Sequence, residues 1–223
     1  MVTVRRFAFN PFVEHCYLVS DEDGTAAVID PGFFSPEEEN ALLDALDKEQ
    51  LRLAAVLLTH AHPDHIYGVK VLQDRFPVPV YMNPEDGRML PLVGKMAASF
   101  GLPAPRTDFS FTPVSDEDCI KVGKMEFKVM TTPGHTPGGV CYICGEDRLV
   151  FTGDTLFAGS IGRTDLPLGD YDKLIVSVMD KVMGLDADYQ VLPGHGGTTT
   201  ISDERTGNPF LEPFNEPESD ISE

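Results

Sequence analysis

Three histidines and an aspartate fall within six residues in the stretch Thr59-His60-Ala61-His62-Pro63-Asp64-His65. Neutral imidazole and carboxylate are ligands for zinc, or for iron or manganese at similar sites. One histidine in such a stretch is readily satisfied by local hydrogen bonds, but that account fits three beside an aspartate poorly. Further candidate donors follow apolar runs in Gly- or Pro-rich loops. Phe127 to Thr131 leads to Gly134-His135, Leu149 to Thr152 leads to Gly153-Asp154, and Tyr189 to Leu192 leads to Gly194-His195. Five of the six histidines and two aspartates are thereby placed. Seven donors are too many for one tetrahedral ion and suit two ions that share a bridging carboxylate.

These donors need a rigid frame. Ala54 to Leu58 is a short apolar run that reads as a buried strand, and alternate positions beyond its end let His60 and His62 face one way. Pro63 suits a first helical turn, and Ile66, Val69, Leu72 and Phe76 continue at helical spacing. Strands are expected at Val2–Val4, Cys16–Val19, Ala26–Ile29, 78–82, Cys119–Val122 and Phe127–Thr131. Ser35-Pro36-Glu37-Glu38 has the form of a capping box for a helix burying Leu42, Leu43 and Leu46. Asn83-Pro84-Glu85 starts a helical stretch interrupted at Pro91 and stopped near Gly101. Met82, Met89 and Met96 in that segment are read as core filling. A last helix is expected from Tyr171 to Met183, started by Asp170 and buried through Leu174, Val178 and Val182. Val28 to Gly32, a helix and Val56 to His60 parallel Val150 to Asp154, a helix and Val191 to His195. The chain thus predicts two similar β-then-α halves packed sheet to sheet, with helices outside.

Composition limits what such a site could serve. The apolar content of 42% and charged content of 24% are those of a globular protein with a substantial core. No apolar stretch reaches membrane-span length, and Met1 to Phe12 lacks the hydrophobic segment of a signal peptide. A formal net charge of -19 repels nucleic acid. Cys141-x-x-Cys144 lies in an apparent strand, where residues three apart face opposite sides, so Cys16, Cys119, Cys141 and Cys144 are read as reduced thiols in a cytoplasmic protein. Residues 1–202 form the expected domain. The tail 203–223 carries seven acidic residues against one basic and is expected to pack on the surface or be partly disordered.

The ordered series HxHxDH, Gly-His, Gly-Asp and Pro-Gly-His resembles the metallo-β-lactamase fold superfamily over nearly the whole chain. The resemblance implies an α+β fold, a four-layered αββα sandwich with metals on one rim of the sheets. It implies that His60, His62 and His135 hold one metal and Asp64, His65 and His195 the other, with Asp154 bridging. The cofactors implied are two zinc ions, with iron or manganese as alternatives. A shared water, deprotonated near neutral pH, would attack a carbonyl carbon, and Asp64 would orient it. Asp30 matches a family position near the metals and would either orient an imidazole or cap the turn at Pro31-Gly32.

A carboxylate at Asp154 departs from the best-known zinc β-lactamases, and the acidic surface departs from RNA-processing members. Gly159 to Asp165 resembles the glyoxalase II-like hydrolases, the hydroxyacylglutathione hydrolases. The segment Gly162-Arg163-Thr164-Asp165 also occurs in persulfide dioxygenases of the same fold. Arg163 and Asp165 either serve substrate or brace the loop as an ion pair. Glyoxalase II enzymes carry a C-terminal helical domain with basic residues for the glutathione carboxylates, and here only some twenty residues follow Ile201, acidic in net charge. The chain therefore resembles the short, single-domain glyoxalase II-like proteins. His15 stands where that family commonly has Asn and is read as structural. The expected activity is hydrolysis of a small acyl thioester, S-lactoylglutathione or a related thiol adduct, by a zinc-dependent thioesterase. The partner is a small molecule, neither nucleic acid nor membrane. A mononuclear iron persulfide dioxygenase is the alternative, and a non-catalytic metal-binding protein stands below it.

Overall fold

Buried side chains alternate between cores along the strands, and that alternation sets the layers. In Glu14–Ser20, Cys16 and Leu18 enter one apolar cluster while Tyr17 and Val19 enter another. Ala26 and Val28 oppose Ala27 and Ile29 in the same way, as Val56 and Leu58 oppose Ala55 and Leu57. In the other half, Cys141, Ile143, Val150 and Val191 enter a third cluster, whereas Val140, Tyr142, Phe151 and Leu192 join the second. Period-two alternation with both faces apolar requires a sheet covered on both sides. Three cores separate four layers, and the αββα sandwich follows.

The computed structural model describes residues 1–214. The first half runs β1 Thr3–Phe9, β2 Glu14–Ser20, β3 Thr25–Ile29, α1 Pro36–Lys48, β4 Arg52–Leu57, α2 Pro63–Ile66, α3 Val69–Arg75, β5 Val80–Met82, α4 Pro84–Gly87, α5 Leu90–Ser99 and β6 Thr112–Pro113. Its six strands pair in sequence order, antiparallel up to β3 and parallel from there. The second half runs β7 Cys119–Val122, β8 Met125–Thr131, β9 Val140–Cys144, β10 Leu149–Gly153, the short pair β11 Leu156–Phe157 and β12 Ser160–Ile161, α6 Tyr171–Val176, β13 Gln190–Pro193, β14 Thr199–Thr200 and α7 Ile201–Gly207. Its main sheet is ordered β14-β13-β10-β9-β8-β7. The parallel pair β3 and β4, joined through α1, is matched by the parallel pair β10 and β13, joined through α6. Among the described residues no helix is long and apolar enough to cross a membrane.

Local chemistry explains most element ends. Ser35 Oγ accepts from the Glu38 N–H at 3.2 Å while Glu38 accepts from the Ser35 N–H at 3.3 Å, the reciprocal cap its sequence predicts. Pro91 lies in the first turn of α5, where its missing N–H costs nothing.

Two expected helices are broken. The helix after Pro63 divides into α2 and α3 because the Gly68 N–H turns out to donate to Pro31 O at 2.8 Å. Gly68 also backs onto the Phe33 ring, which leaves no room for a side chain. The helix expected over 171–183 is α-helical only to Val176, then opens into a wide π turn at Ser177–Lys181 and tightens to a 3-10 turn at Val182–Gly184. Ser177 Oγ donates to Pro133 O at 2.7 Å and Lys181 Nζ to Thr131 O at 2.9 Å, so the wide turn lets both ends reach the end of β8.

The domain limit expected at 202 falls inside α7, and Glu204, Asn208 and Leu211 beyond it are buried. Residues 215–223 of the expected tail lie outside the described residues. Cys141 and Cys144 point into different cores, and all four cysteines are free.

Candidate metal centre

β8, β10 and β13 run parallel to one another, as their pairing through β9 requires, so their C-terminal ends share one rim, which the end of β4 joins from the other sheet. The two sheets are tied there by the Val140 N–H, which donates to Thr59 O at 2.9 Å. The Gly194 N–H donates to Gly153 O at 2.8 Å. Loops on rigid strand ends carry the donors: His60 and His62 after β4, Asp64 and His65 in α2, His135 after β8, Asp154 after β10, His195 after β13.

All seven side chains converge. His60, His62 and His135 form one group with donor atoms within 4.8 Å of one another, and Asp64, His65 and His195 form another. His62 Nδ1 lies 2.7 Å from His135 Nε2. Asp154 stands between the groups. Its Oδ2 is 3.4 Å from His135 Nε2 and 3.6 Å from His195 Nε2, and its Oδ1 is 3.4 Å from His65 Nε2. Asp64 Oδ2 is 3.3 Å from His195 Nε2.

The outward ring nitrogens show which atoms remain for a cation. Thr59 Oγ1 accepts from His60 Nδ1 at 3.0 Å, and Asp30 Oδ2 accepts from His65 Nδ1 at 3.0 Å. Arg163 O accepts from His135 Nδ1 at 2.7 Å, and Phe12 O from His195 Nδ1 at 3.1 Å. Each bond fixes the tautomer that aims an Nε2 lone pair inward, the arrangement that orients metal-binding imidazoles. His60 Nε2, His65 Nε2 and Asp154 Oδ1 are buried without a hydrogen-bond partner among the described residues. Buried polar atoms are ordinarily satisfied, so this donor set fits a pair of cations. Asp30 with His60 and His65 forms a third grouping. Asp30 is a brace there, because Thr59 N–H and Oγ1 and His65 Nδ1 occupy both its oxygens.

Electrostatics agree with the geometry. Burial lowers the affinity of His60, His62 and His135 for protons, His62 to about 3, so these rings are neutral and able to coordinate. Burial acts the same way on His65, but the Asp154 and Asp64 carboxylates outweigh it and raise its pKa well above the usual value. Burial would raise Asp154, and the His65, His135 and His195 rings instead hold it well below the usual carboxylate range. Without a cation, His65 and Asp154 form an ion pair; cation binding must therefore displace a proton.

Arg163 Nε and Nη2 bond Asp165 Oδ1 and Oδ2, both at 2.7 Å, so this pair braces its own loop while Arg163 also borders the cavity. His15 Nδ1 bonds Pro193 O at 3.1 Å beneath the centre.

Three contributors carried no sequence signal. Asp86 in α4 accepts from the Ala61 N–H at 2.8 Å, Gly138 N–H at 2.6 Å and Thr136 Oγ1 at 2.9 Å. It thereby clamps the loop of His60 and His62 to the loop of His135. Burial pushes its carboxyl up to about 6, against these three donors. Phe12 supplies a carbonyl to His195 and a ring to the cavity above the donors. Glu14 is wholly buried 3.9 Å from His65 Nδ1, and burial raises its carboxyl well above the usual range.

Comparison with known proteins places this geometry. Residues 9–195 match the family described as the metallo-beta-lactamase superfamily. The chain is 38% identical over 204 residues to the hydroxyacylglutathione hydrolase GloC of Haemophilus influenzae, covering 90% of this chain and 93% of that protein. The crystal structure of BLEG-1 B3 metallo-beta-lactamase is 36% identical with a TM-score of 0.87, covering 94% of this chain and 99% of that one. TTHA1623 in a di-iron-bound form is 36% identical with a TM-score of 0.84, covering 93% and 100%. ETHE1 from Myxococcus xanthus is 27% identical with a TM-score of 0.76, covering 97% and 92%.

Proposed function

The chain belongs to the metallo-beta-lactamase superfamily, and from that footing we propose that it is a binuclear metal-dependent hydrolase of small acyl thioesters. The observation that supports it best is the Asp154 carboxylate, which lies within 3.6 Å of His135 in one donor group and of His65 and His195 in the other. His60, His62 and His135 would hold one ion, Asp64, His65 and His195 the other, with Asp154 shared. Zinc suits these ligands, and iron or manganese would fit them as well. Two such ions supply Lewis acidity toward a carbonyl oxygen and a water acidified to near neutral pKa.

The chain's own groups do the positioning. Asp64 is ionised, since the His65 and His195 rings outweigh the burial that would raise it. It borders the cavity, where it would accept a hydrogen bond from the attacking water and so orient a lone pair toward the carbonyl carbon. Asp30, Thr59, Arg163 O and Phe12 O hold the imidazoles still, which keeps the reacting geometry fixed. The likeness to the Haemophilus influenzae hydroxyacylglutathione hydrolase makes S-lactoylglutathione the first substrate to assay. A small-molecule partner in a cytoplasmic, thiol-reducing setting completes the reading; the charge of -19 disfavours nucleic acid.

Metal content by mass spectrometry, followed by S-lactoylglutathione hydrolysis, tests the proposal. Two metals with hydrolysis support it. Nitrocefin belongs in the same panel because BLEG-1, named a B3 metallo-beta-lactamase, shares the fold so closely. A second reading, iron-dependent persulfide oxygenation, rests on the loop Gly162-Arg163-Thr164-Asp165 described above. One equivalent of iron with oxygen uptake on glutathione persulfide would replace the hydrolase reading with this one.

A further inference from the structure

The cavity above the donors has a volume of about 330 Å³, roughly the room of eleven waters. That admits an acyl group, the thioester and a few atoms of the carrier. Its walls are Phe12, Met96, Ala97, Phe100, Phe157 and Leu166. Phe12 and Phe100 meet edge to face at 5.2 Å, and both remain partly exposed. Arg163 alone among the lining residues is a Lys or Arg, and its guanidinium is already bonded twice to Asp165.

The Phe12 wall is held in place. Asn10 Oδ1 accepts from the Phe12 N–H at 3.0 Å, and Asn10 Nδ2 donates to Asp64 O at 2.9 Å and Gly32 O at 3.0 Å. The next residue, Val13, sits at φ 57°, a backbone conformation that a β-branched residue keeps only when its surroundings impose it.

From this we infer that the site prefers an uncharged thioester with an apolar acyl group of about four to six carbons over the matching conjugate of a carboxylate-bearing thiol such as glutathione. The inference rests on the hydrolase reading above. Cations in the floor would face the reacting carbonyl, whereas carrier carboxylates lie several bonds away. They would meet the Phe12 and Phe100 rings and a surface of net charge -19. The one Lys or Arg among the lining residues, Arg163, is already paired with Asp165. In the reaction, the oxygen of water forms the new C–O bond as the C–S bond breaks. One water proton ends on the thiolate sulfur, the other is shed by the carboxylic acid, and no redox partner is needed.

The test uses metal-loaded protein and S-acyl-N-acetylcysteamine thioesters from acetyl to hexanoyl, beside the matching glutathione thioesters. The expected result is a kcat/KM that rises about fourfold per added methylene until the cavity fills. For a given acyl group, the neutral carrier exceeds glutathione at least tenfold, and added salt narrows the gap. Phe100→Ala, checked for folding by thermal denaturation alongside Phe100→Leu, flattens the chain-length dependence. A flat or falling series, or a preference for glutathione, overturns the inference.

If no thioester is cleaved, the hydrolase reading fails by itself. Calorimetry with thioether analogues, hexyl on N-acetylcysteamine against hexyl on glutathione, then decides the binding question. Tenfold tighter binding of the neutral analogue sustains the apolar site, and equal or reversed binding removes it.

Discussion

Asp30 Oδ2 and His65 Nδ1 meet at 3.0 Å in a wholly buried pair, and the same carboxylate takes both donors of Thr59 at 2.7 and 2.5 Å. Through Thr59 Oγ1 it also steadies His60. One carboxylate thus aims a ring in each donor group, from a residue that itself holds φ 48°. Asp30→Ala is expected to weaken metal affinity about 10- to 100-fold, read by chelator competition. Affinity equal to that of the native protein would show that the rings are aimed by other means.

Asp86 clamps two loops rather than two rings. Asp86→Ala leaves the Ala61 and Gly138 N–H groups and the Thr136 hydroxyl without their acceptor, at about 1–3 kcal/mol for an unsatisfied buried group. Denaturant unfolding should show a loss of about 3 kcal/mol, and a smaller loss for Asp86→Asn, which keeps one acceptor oxygen. A change within about 0.5 kcal/mol, the range of a surface substitution, would contradict the clamp.

His62 makes the metal-free fold acid-sensitive. Burial holds its folded pKa at about 3, below the ordinary imidazole value of about 6.5. Its contribution to stability is therefore present above pH 6.5 and lost as pH falls toward 3, because the unfolded chain takes up a proton that the fold refuses. His62→Gln removes this dependence. Between pH 7 and 5, in chelator, the variant should gain about 2 kcal/mol on the native protein. Parallel stability curves for the two proteins would sink the assignment.

Gly153 holds φ 49°, and a Cβ there would strike the Thr59 side chain. Gly153→Ala is expected to cost about 1–3 kcal/mol in chemical denaturation and to lower metal affinity, since displacing Thr59 frees both His60 and Asp30. Native-like metal affinity in the variant would mean that Thr59 does not hold the site.

The donors at 60–65, 135, 154 and 195 were legible because imidazole and carboxylate announce themselves by type and each follows a strand. The layering was legible in the two-sided apolar runs at 26–29 and 54–58. Asp86 was not. Its partners are backbone N–H groups 25 and 52 residues away, and a backbone donor leaves no mark in a sequence. Phe12 O is illegible for the same reason. The break at Gly68 depends on Pro31 O, a tertiary acceptor that overrides the continuous helical spacing of Ile66, Val69 and Leu72. Arg163 and Asp165 were recognisable as a pair, but only their geometry shows a brace in which Nε and Nη2 both bond the carboxylate.

Metal stoichiometry tests the binuclear centre most directly. Mass spectrometry of protein loaded with zinc, iron or manganese and freed of excess should give two equivalents per chain. His62→Gln and His195→Gln should each retain one, and Asp154→Asn at most one. A native protein that never exceeds one equivalent, or variants that keep both, would contradict a pair of cations held by these seven side chains.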